Sequence, residues 1–377
     1  MWKVPLFEPN FDSRETVASS RVVADGWLTM GKRIQHFETS FAEFQGRGGD
    51  CVAVSSGTAA LHLALLALGI APGDEVIIPA LTFVADANVV KIIGATPVLA
   101  DSVSLANWNT SADTLVARIT DKTRAIIVVH YAGYPCEMGA IAELCRERNI
   151  ALIEDVAHAP GASLDGQRCG TFGDIGCFSF FSNKNLSIGE GGMAATHNPE
   201  VAQRLRYLRS HGMTTLTLDR HEGRAVTYDV VMPGLNYRMD EIRAAIGAVQ
   251  LEKLLDGNAR RKLLTEQYRS NFSGSEISIP FFDIRLGLES AYHILPVLLP
   301  SGCDRMGVMA HLKSKAIQSS IHYPPFWNFS GYQDQFDSSE TPVAAEIMAR
   351  ELTLPLYPGL GEEDVDYVTE SLLEVVG

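Results

Sequence analysis

From residue 50 onward, short apolar runs alternate with stretches whose apolar positions recur at helical spacing. Cys51-Val52-Ala53-Val54 predicts a strand, and Leu61, Ala64, Leu65 and Leu68 predict a helix that Gly69 stops. Glu75 to Ile78 predicts a strand, Val84 to Ile93 a helix, and Pro97 to Ala100 a strand ending in Asp101. A helix from Ala112 to Ile119 follows the cap Ser111, then a strand from Ala125 to Val129 and a helix from Met138 to Arg148. Ala151-Leu152-Ile153 is a strand that delivers Glu154 and Asp155 to a loop; Ile175 to Phe181 is another that delivers Lys184 to a polar turn. Repeated strand-helix units imply an α/β fold with a mostly parallel sheet between helices. Loops at the carboxyl ends of such strands face one crevice, here Phe83, His130-Tyr131, Asp155 to His158 and Ser179 to Lys184.

The flanking regions are less regular. Residues 1 to 30 carry no clear period, and the turn Gly26 to Gly31 precedes a helix from Ile34 to Phe44. After Gly192 comes a basic helix, Val201 to Arg209, and then a loop from Gly212 to Met232. A long helix starts at Asp240, with Ala244, Ala245, Ala248, Leu251 and Leu255 spaced for close packing. The domain change is expected near it, giving a large domain over residues 1–250 and a smaller C-terminal α/β domain over 251–377. The small domain would hold strands from Tyr292 to Leu299 and Ser319 to His322, a helix from Arg305 to Lys315, and a terminal helix after Glu362.

Composition narrows the function classes. At 377 residues, 46% hydrophobic and 20% charged, the chain is long enough for two domains sharing a sizeable core. Its net charge of −14 opposes binding to nucleic acid or to an anionic membrane. The N-terminus lacks a signal-peptide core and no apolar run approaches the ~20 residues of a membrane helix, so a cytoplasmic location is expected. The six cysteines show no C-x-x-C pairing, and neither a metal site nor a disulfide framework is expected. No G-x-G-x-x-G follows the first strand and no P-loop occurs, which removes a Rossmann dehydrogenase and a P-loop NTPase.

An acid and an amine meeting across the crevice suit pyridoxal phosphate (PLP). That cofactor needs a lysine for a Schiff base and an anionic partner for its pyridinium nitrogen. Asp155 and Lys184 are the candidates. Ser55-Ser56-Gly57-Thr58, between a strand and a helix, is either an anion site or simple N-capping.

The ordered segments SSGTAALHLAL, PALTFVADANVV, IEDVAHAPGA, GCFSFFSNKNLSIGEGGM, LNYRMDEIRAAIG, AYH and IHYPPF resemble the DegT/DnrJ/StrS family of PLP-dependent sugar aminotransferases. The resemblance runs roughly from Gly31 to Pro358. It implies a fold-type-I enzyme, PLP and its amine form PMP as cofactor, and a homodimer with shared active sites. By position, Lys184 would bond the cofactor and Asp155 would pair with its ring nitrogen. His158, where many relatives have glutamine, would face its phenolic oxygen. Phe83 would stack on the ring, Gly57, Thr58 and Ser179 would hold the phosphate, and Asn236 would reach the neighbouring subunit's phosphate. Tyr131 is a further candidate for the substrate site, and His293, His322 and Tyr323 either line that site or are satisfied core residues. Arg238 either grips a carboxylate or holds the start of the long helix. Glu190 is expected to be structural, and Arg204, Arg206, Arg209, Arg220 and Arg224 are candidates for a pyrophosphate.

The implied reaction moves an amino group from an amino acid, expected to be L-glutamate, to a nucleotide-linked keto-deoxyhexose. Alternatives are a cyclitol or aminoshikimate-type ketone as acceptor, a PLP-dependent sugar dehydratase, and a noncatalytic PLP-binding regulator. Dehydratases of this kind carry histidine where this chain has Lys184.

Overall fold

A computed structural model describes residues 2–46, 48–215, 217–282, 285–333 and 335–376. Helices α1 (Ser13–Asp25) and α2 (Lys32–Gln45) lead into β1 (Asp50–Val54) and α3 (Gly57–Ala67). There follow β2 (Glu75–Pro79), α4 (Ala85–Ile92), β3 (Thr96–Ala100), α5 (Ala112–Val116), β4 (Thr123–Val129), α6 (Met138–Arg148) and β5 (Ala151–Asp155). A small hairpin, β6 (Ser163–Leu164) and β7 (Gln167–Arg168), precedes β8 (Ile175–Ser179) and β9 (Gly192–Thr196). Helices α7 (Pro199–Arg209), α8 (Thr217–His221) and α9 (Glu241–Asn271) come next.

The main sheet has seven strands in the order β1-β9-β8-β5-β4-β2-β3, and β9 alone runs against its neighbours. The expected α/β architecture is present. Its strands are buried on both faces, as crossover helices require. One set of side chains, including Val76, Ile78, Ile127 and Ile153, packs with α3 and α4; the other, including Ile77, Ile126, Val128 and Leu152, packs with α5 and α6. That alternation aims every second residue of β5 at the α3 side, and Asp155 shares the face of Ile153.

The N-terminal region departs from the expectation of irregular chain, because α1 is a regular helix. Its signal was an Asp12-x-x-Glu15 capping box: Asp12 accepts the N–H of Arg14 at 2.8 Å and Glu15 accepts the N–H of Asp12 at 2.8 Å. Lys253 of α9 then ties α1 down through Glu15 at 2.7 Å and Asp12 at 2.9 Å. The Gly26–Gly31 turn has a tertiary role as well. Buried Glu241 accepts the N–H groups of Gly31, Arg33 and Ile34 at 2.9–3.0 Å, capping α2 from another helix.

In the C-terminal region, β10 (Leu288–Glu289) joins the hairpin, and β11 (Leu295–Leu298) pairs antiparallel with β12 (Glu351–Leu354). Helices α10 (Arg305–Ser314), α11 (Pro342–Arg350) and α12 (Glu362–Val376) complete it. The expected strand at Ser319 to His322 is corrected: that stretch makes one bridge, Ser320 to Thr353, and the partner of β11 is β12. Pro324 and Pro325 end pairing there, since proline cannot donate to a ladder. Residue 250, the expected domain limit, lies inside α9, which runs through it without a break. Among the described residues no helix is long and apolar enough to cross a membrane.

Candidate active site

Adjacent parallel strands bring the acid and the amine together. β5 pairs with β8 from Ile153 opposite Ile175 to Asp155 opposite Cys177. Beyond Ser179 a compact turn, held by the Lys184 N–H donating to the Phe181 carbonyl at 2.9 Å, returns Lys184 toward the sheet. Both residues line a cavity of about 380 Å³ at the carboxyl edge. Burial pushes the Lys184 amine down to about 8, against the opposing pull of Asp155. Burial likewise raises the Asp155 carboxyl, against an N–H from Ala157 at 2.8 Å and the charge of Lys184.

The neighbouring acid does something else. Glu154 points to the opposite face, where it accepts the N–H groups of Gly170, Phe172 and Gly173 at 2.7–2.8 Å and pairs with His130 at 3.1 Å. It is a fully satisfied structural carboxylate.

His158 is buried, and its Nδ1 accepts the N–H of Ala132 at 3.3 Å. The remaining nitrogen, Nε2, lies 2.7 Å from the hydroxyl of Tyr323. Burial, with the charge of Lys184 beside it, pushes the ring's pKa well down, so it is neutral with its proton on Nε2. Tyr323 also sits 5.5 Å from Phe83, whose ring is 54% exposed at the cavity mouth and so has a free face. His322 lines the cavity too, with Nδ1 2.9 Å from the hydroxyl of Thr353, and burial lowers it to about 4.

Across the cavity, α3 opens at Gly57 and Thr58. Ser56 caps it, accepting the N–H of Ala59 at 3.0 Å. Capping and anion binding are compatible here, because one cap leaves other first-turn N–H groups without an intrahelical partner. Gly57 is held small by contact: a Cβ there would lie 2.8 Å from the Cβ of Ser179. Helix N-terminus and Ser179 hydroxyl therefore converge on one cradle.

Other expected residues lie elsewhere. Tyr131 is buried behind the wall, its hydroxyl donating to the carbonyl of His322. His293 is buried with Nε2 3.4 Å from Lys184 Nζ, on the lysine rather than on the open cavity. Arg238 donates to the Ser210 hydroxyl at 3.2 Å and its stretch bridges to Val54, just before α9. Asn236 is exposed and lies outside the cavity lining. Arg206 pairs with Asp50 and Arg209 with Glu38, both at 2.5 Å; Arg224 pairs with Asp219 and Glu222, and Arg220 lies over the ring of Tyr228. Arg204 donates to the Leu66 carbonyl at 3.3 Å.

Two features escaped sequence reasoning, one lining the cavity and one buried behind it and felt by Asp155. Asn183 brings to the cavity a buried Oδ1 that has no hydrogen-bond partner among the described residues. Asp86, fully buried on α4, accepts from Thr82 at 2.5 Å, and burial and the charge of Asp155 push its carboxyl well up. Neither has a local pattern that marks it, since both depend on which strands become neighbours.

These residues fit PLP. An amine, a carboxylate, an exposed aromatic face, a helix-mouth anion cradle and an orphaned amide oxygen converge on one cavity. A parallel sheet carrying this set at its carboxyl edge defines a PLP-dependent enzyme of fold type I. The chain belongs to the DegT/DnrJ/EryC1/StrS aminotransferase family, whose model matches residues 9–373. It is 36% identical over 377 residues to GDP-perosamine synthase of Escherichia coli O157:H7, covering 98% of both chains. Among solved structures it is similar to the aminotransferase TlmJ from Streptoalloteichus hindustanus, at 34% identity and a TM-score of 0.89, covering 98% of this chain and 97% of that one. The PMP form of Spr1654 from Streptococcus pneumoniae matches at 30% identity and a TM-score of 0.92, covering 99% of each. The protein is thus a PLP-dependent sugar aminotransferase.

Proposed function

We propose that the enzyme transfers the amino group of L-glutamate to a nucleotide-linked keto-deoxyhexose in two half-reactions, with PMP carrying the nitrogen between them. The observation that carries this reading is a desolvated Lys184 amine facing the Asp155 carboxylate in one cavity. The E. coli relative, named for a GDP-linked product, supports the nucleotide-linked acceptor. When bound, PLP supplies an electron sink for the substrate carbon that loses its proton.

The chain's own groups do the rest. With its pKa near 8, roughly a tenth of Lys184 is neutral at pH 7, far more than for an ordinary lysine. Its Nζ would serve as the general base that takes the proton from the substrate carbon and as the acid that gives it back. Asp155 holds a proton on the ring nitrogen by a charge-assisted hydrogen bond of about 1.5–3 kcal/mol. With PLP bound, the neutral His158 ring, whose Nε2–H meets the Tyr323 hydroxyl at 2.7 Å, would stand on the side of the phenolic oxygen, and Phe83 would stack on the ring. Gly57, Thr58 and Ser179 would hold the phosphate.

Among the described residues Lys184 is the one lysine or arginine lining the cavity, so a phosphate would draw on dipoles and hydroxyls from this protomer. A homodimer completes the site. Exposed Asn236 suits contact with a second copy's phosphate, and Val226, Tyr228, Val230 and Val231 with Phe83 and Phe181 leave apolar surface for that copy to cover.

The test is colour and mass together. Enzyme purified with PLP should be yellow, L-glutamate should bleach it, and a nucleotide-linked keto-deoxyhexose should restore the colour while gaining an amino group. Bleaching that only a cyclitol ketone reverses would overturn the acceptor assignment.

A further inference from the structure

Lys184 Nζ has a second polar neighbour, the His293 imidazole, with Nε2 at 3.4 Å. Two backbone carbonyls settle which of that ring's nitrogens carries the proton. Asn258 Nδ2 donates to the carbonyl of Pro160 at 3.0 Å, so its Oδ1 faces away and accepts Asn185 Nδ2 at 2.7 Å. The same Asn185 nitrogen donates to the carbonyl of Ala291 at 2.7 Å. A carbonyl only accepts, so neither amide can be turned round. Asn185 Oδ1 is left facing His293 Nδ1 at 2.9 Å and must accept an N–H from it. A neutral imidazole has one N–H, hence Nε2 is a bare lone pair aimed at the amine.

The surroundings keep the ring neutral. Burial comes first, then the positive charge of Lys184; Arg261 adds to it, as would His158 and His322 if protonated, and all of them disfavour a second proton. Arg261 is close, donating to the His293 carbonyl at 3.0 Å. Room for the chain of amides is also built in: a Cβ on Gly161 would lie 3.0 Å from Asn258 Nδ2.

We propose that Asn258, Asn185 and His293 form a tautomer lock. It holds an imidazole lone pair against Lys184 Nζ, so that the amine gives one N–H to His293 and turns its own lone pair into the cavity. His293 thus serves the reacting amine rather than the sugar, and Asn185 and Asn258 are positioning residues. The inference rests on Lys184 being the amine that bonds the cofactor.

Two measurements on the full-length enzyme test it. In protein carrying ring-¹⁵N histidine, His293, assigned by its loss in His293→Gln, should show a protonated Nδ1 and an unprotonated Nε2. Second, the PMP form, in which Lys184 is free, is methylated reductively across a pH series and the residue read by peptide mass. The midpoint should fall by about one pH unit in His293→Leu and Asn185→Leu, because a hydrogen bond to the ammonium is lost. His293→Gln, with an amide oxygen to accept, should restore it. An Nε2–H tautomer in the wild type, or midpoints unmoved in both leucine variants, overturns the lock. If a leucine variant fails to fold, the wild-type ¹⁵N spectrum still decides. A visible PLP band that survives Lys184→Ala would instead overturn the Lys184 assignment, and the ¹⁵N spectrum would report the tautomer regardless.

Discussion

Lys184 and Asp155 illustrate how placement changes two ordinary side chains. Burial without full neutralisation brings the amine near 8, so its competence as a base should rise with pH through about 8 and level off above. The rate of cofactor loading, followed by visible absorbance over a pH series, checks this; a flat profile contradicts it. Lys184→Ala should lose the visible band and cut turnover by about a thousandfold or more. Asp155→Asn keeps the shape but loses the charge, and should lower kcat by roughly a hundredfold, the equivalent of about 2.7 kcal/mol. Both residues were legible from chain order alone, as the polar ends of apolar runs. That Glu154 is structural was not legible, because which of two adjacent acids faces the cavity depends on strand alternation fixed by the sheet.

At the scale of elements, α1 was overlooked although its capping box is local, whereas α2 was legible from its apolar period although its cap comes from a distant residue. Helix α2 has no capping side chain of its own at Gly31 and borrows the carboxylate of Glu241. Glu241→Ala leaves three N–H groups without that acceptor and should destabilise the fold by about 2–3 kcal/mol, seen in chemical denaturation. Strand β12 carries a second test. Burial raises Glu351 to about 8, against hydrogen bonds from Thr353 and the His322 N–H and the charge of Arg305. The folded chain then holds a proton that the unfolded chain has released above its ordinary pKa of about 4.3. Glu351's contribution to stability is fully present below that value and is lost as pH rises through about 8. Comparing thermal midpoints at about pH 5 and about pH 9 should show a fall that is smaller in Glu351→Gln. β12 itself was missed because Glu-Leu-Thr-Leu is too short to stand out until β11 lies beside it.

At the scale of the whole molecule, the proposed dimer makes each active site depend on two chains. Asn236→Ala should weaken cofactor retention while leaving Lys184 intact. Coexpressed Lys184→Ala and Asn236→Ala chains should form mixed dimers with one wholly normal site, regaining about half the activity of wild type. Mixed dimers no more active than either parent would contradict shared sites.

Fold class, cofactor chemistry and the lysine–aspartate pair were determined by the sequence itself, because they follow from local periodicity and from residue types at strand ends. Tertiary structure alone decided the tautomer of His293, the borrowed cap of α2, the orphaned oxygen of Asn183 and the exposure of Asn236. Each of these depends on residues far apart in the chain, whose meeting is set by how helices and sheet pack rather than by any neighbour in sequence.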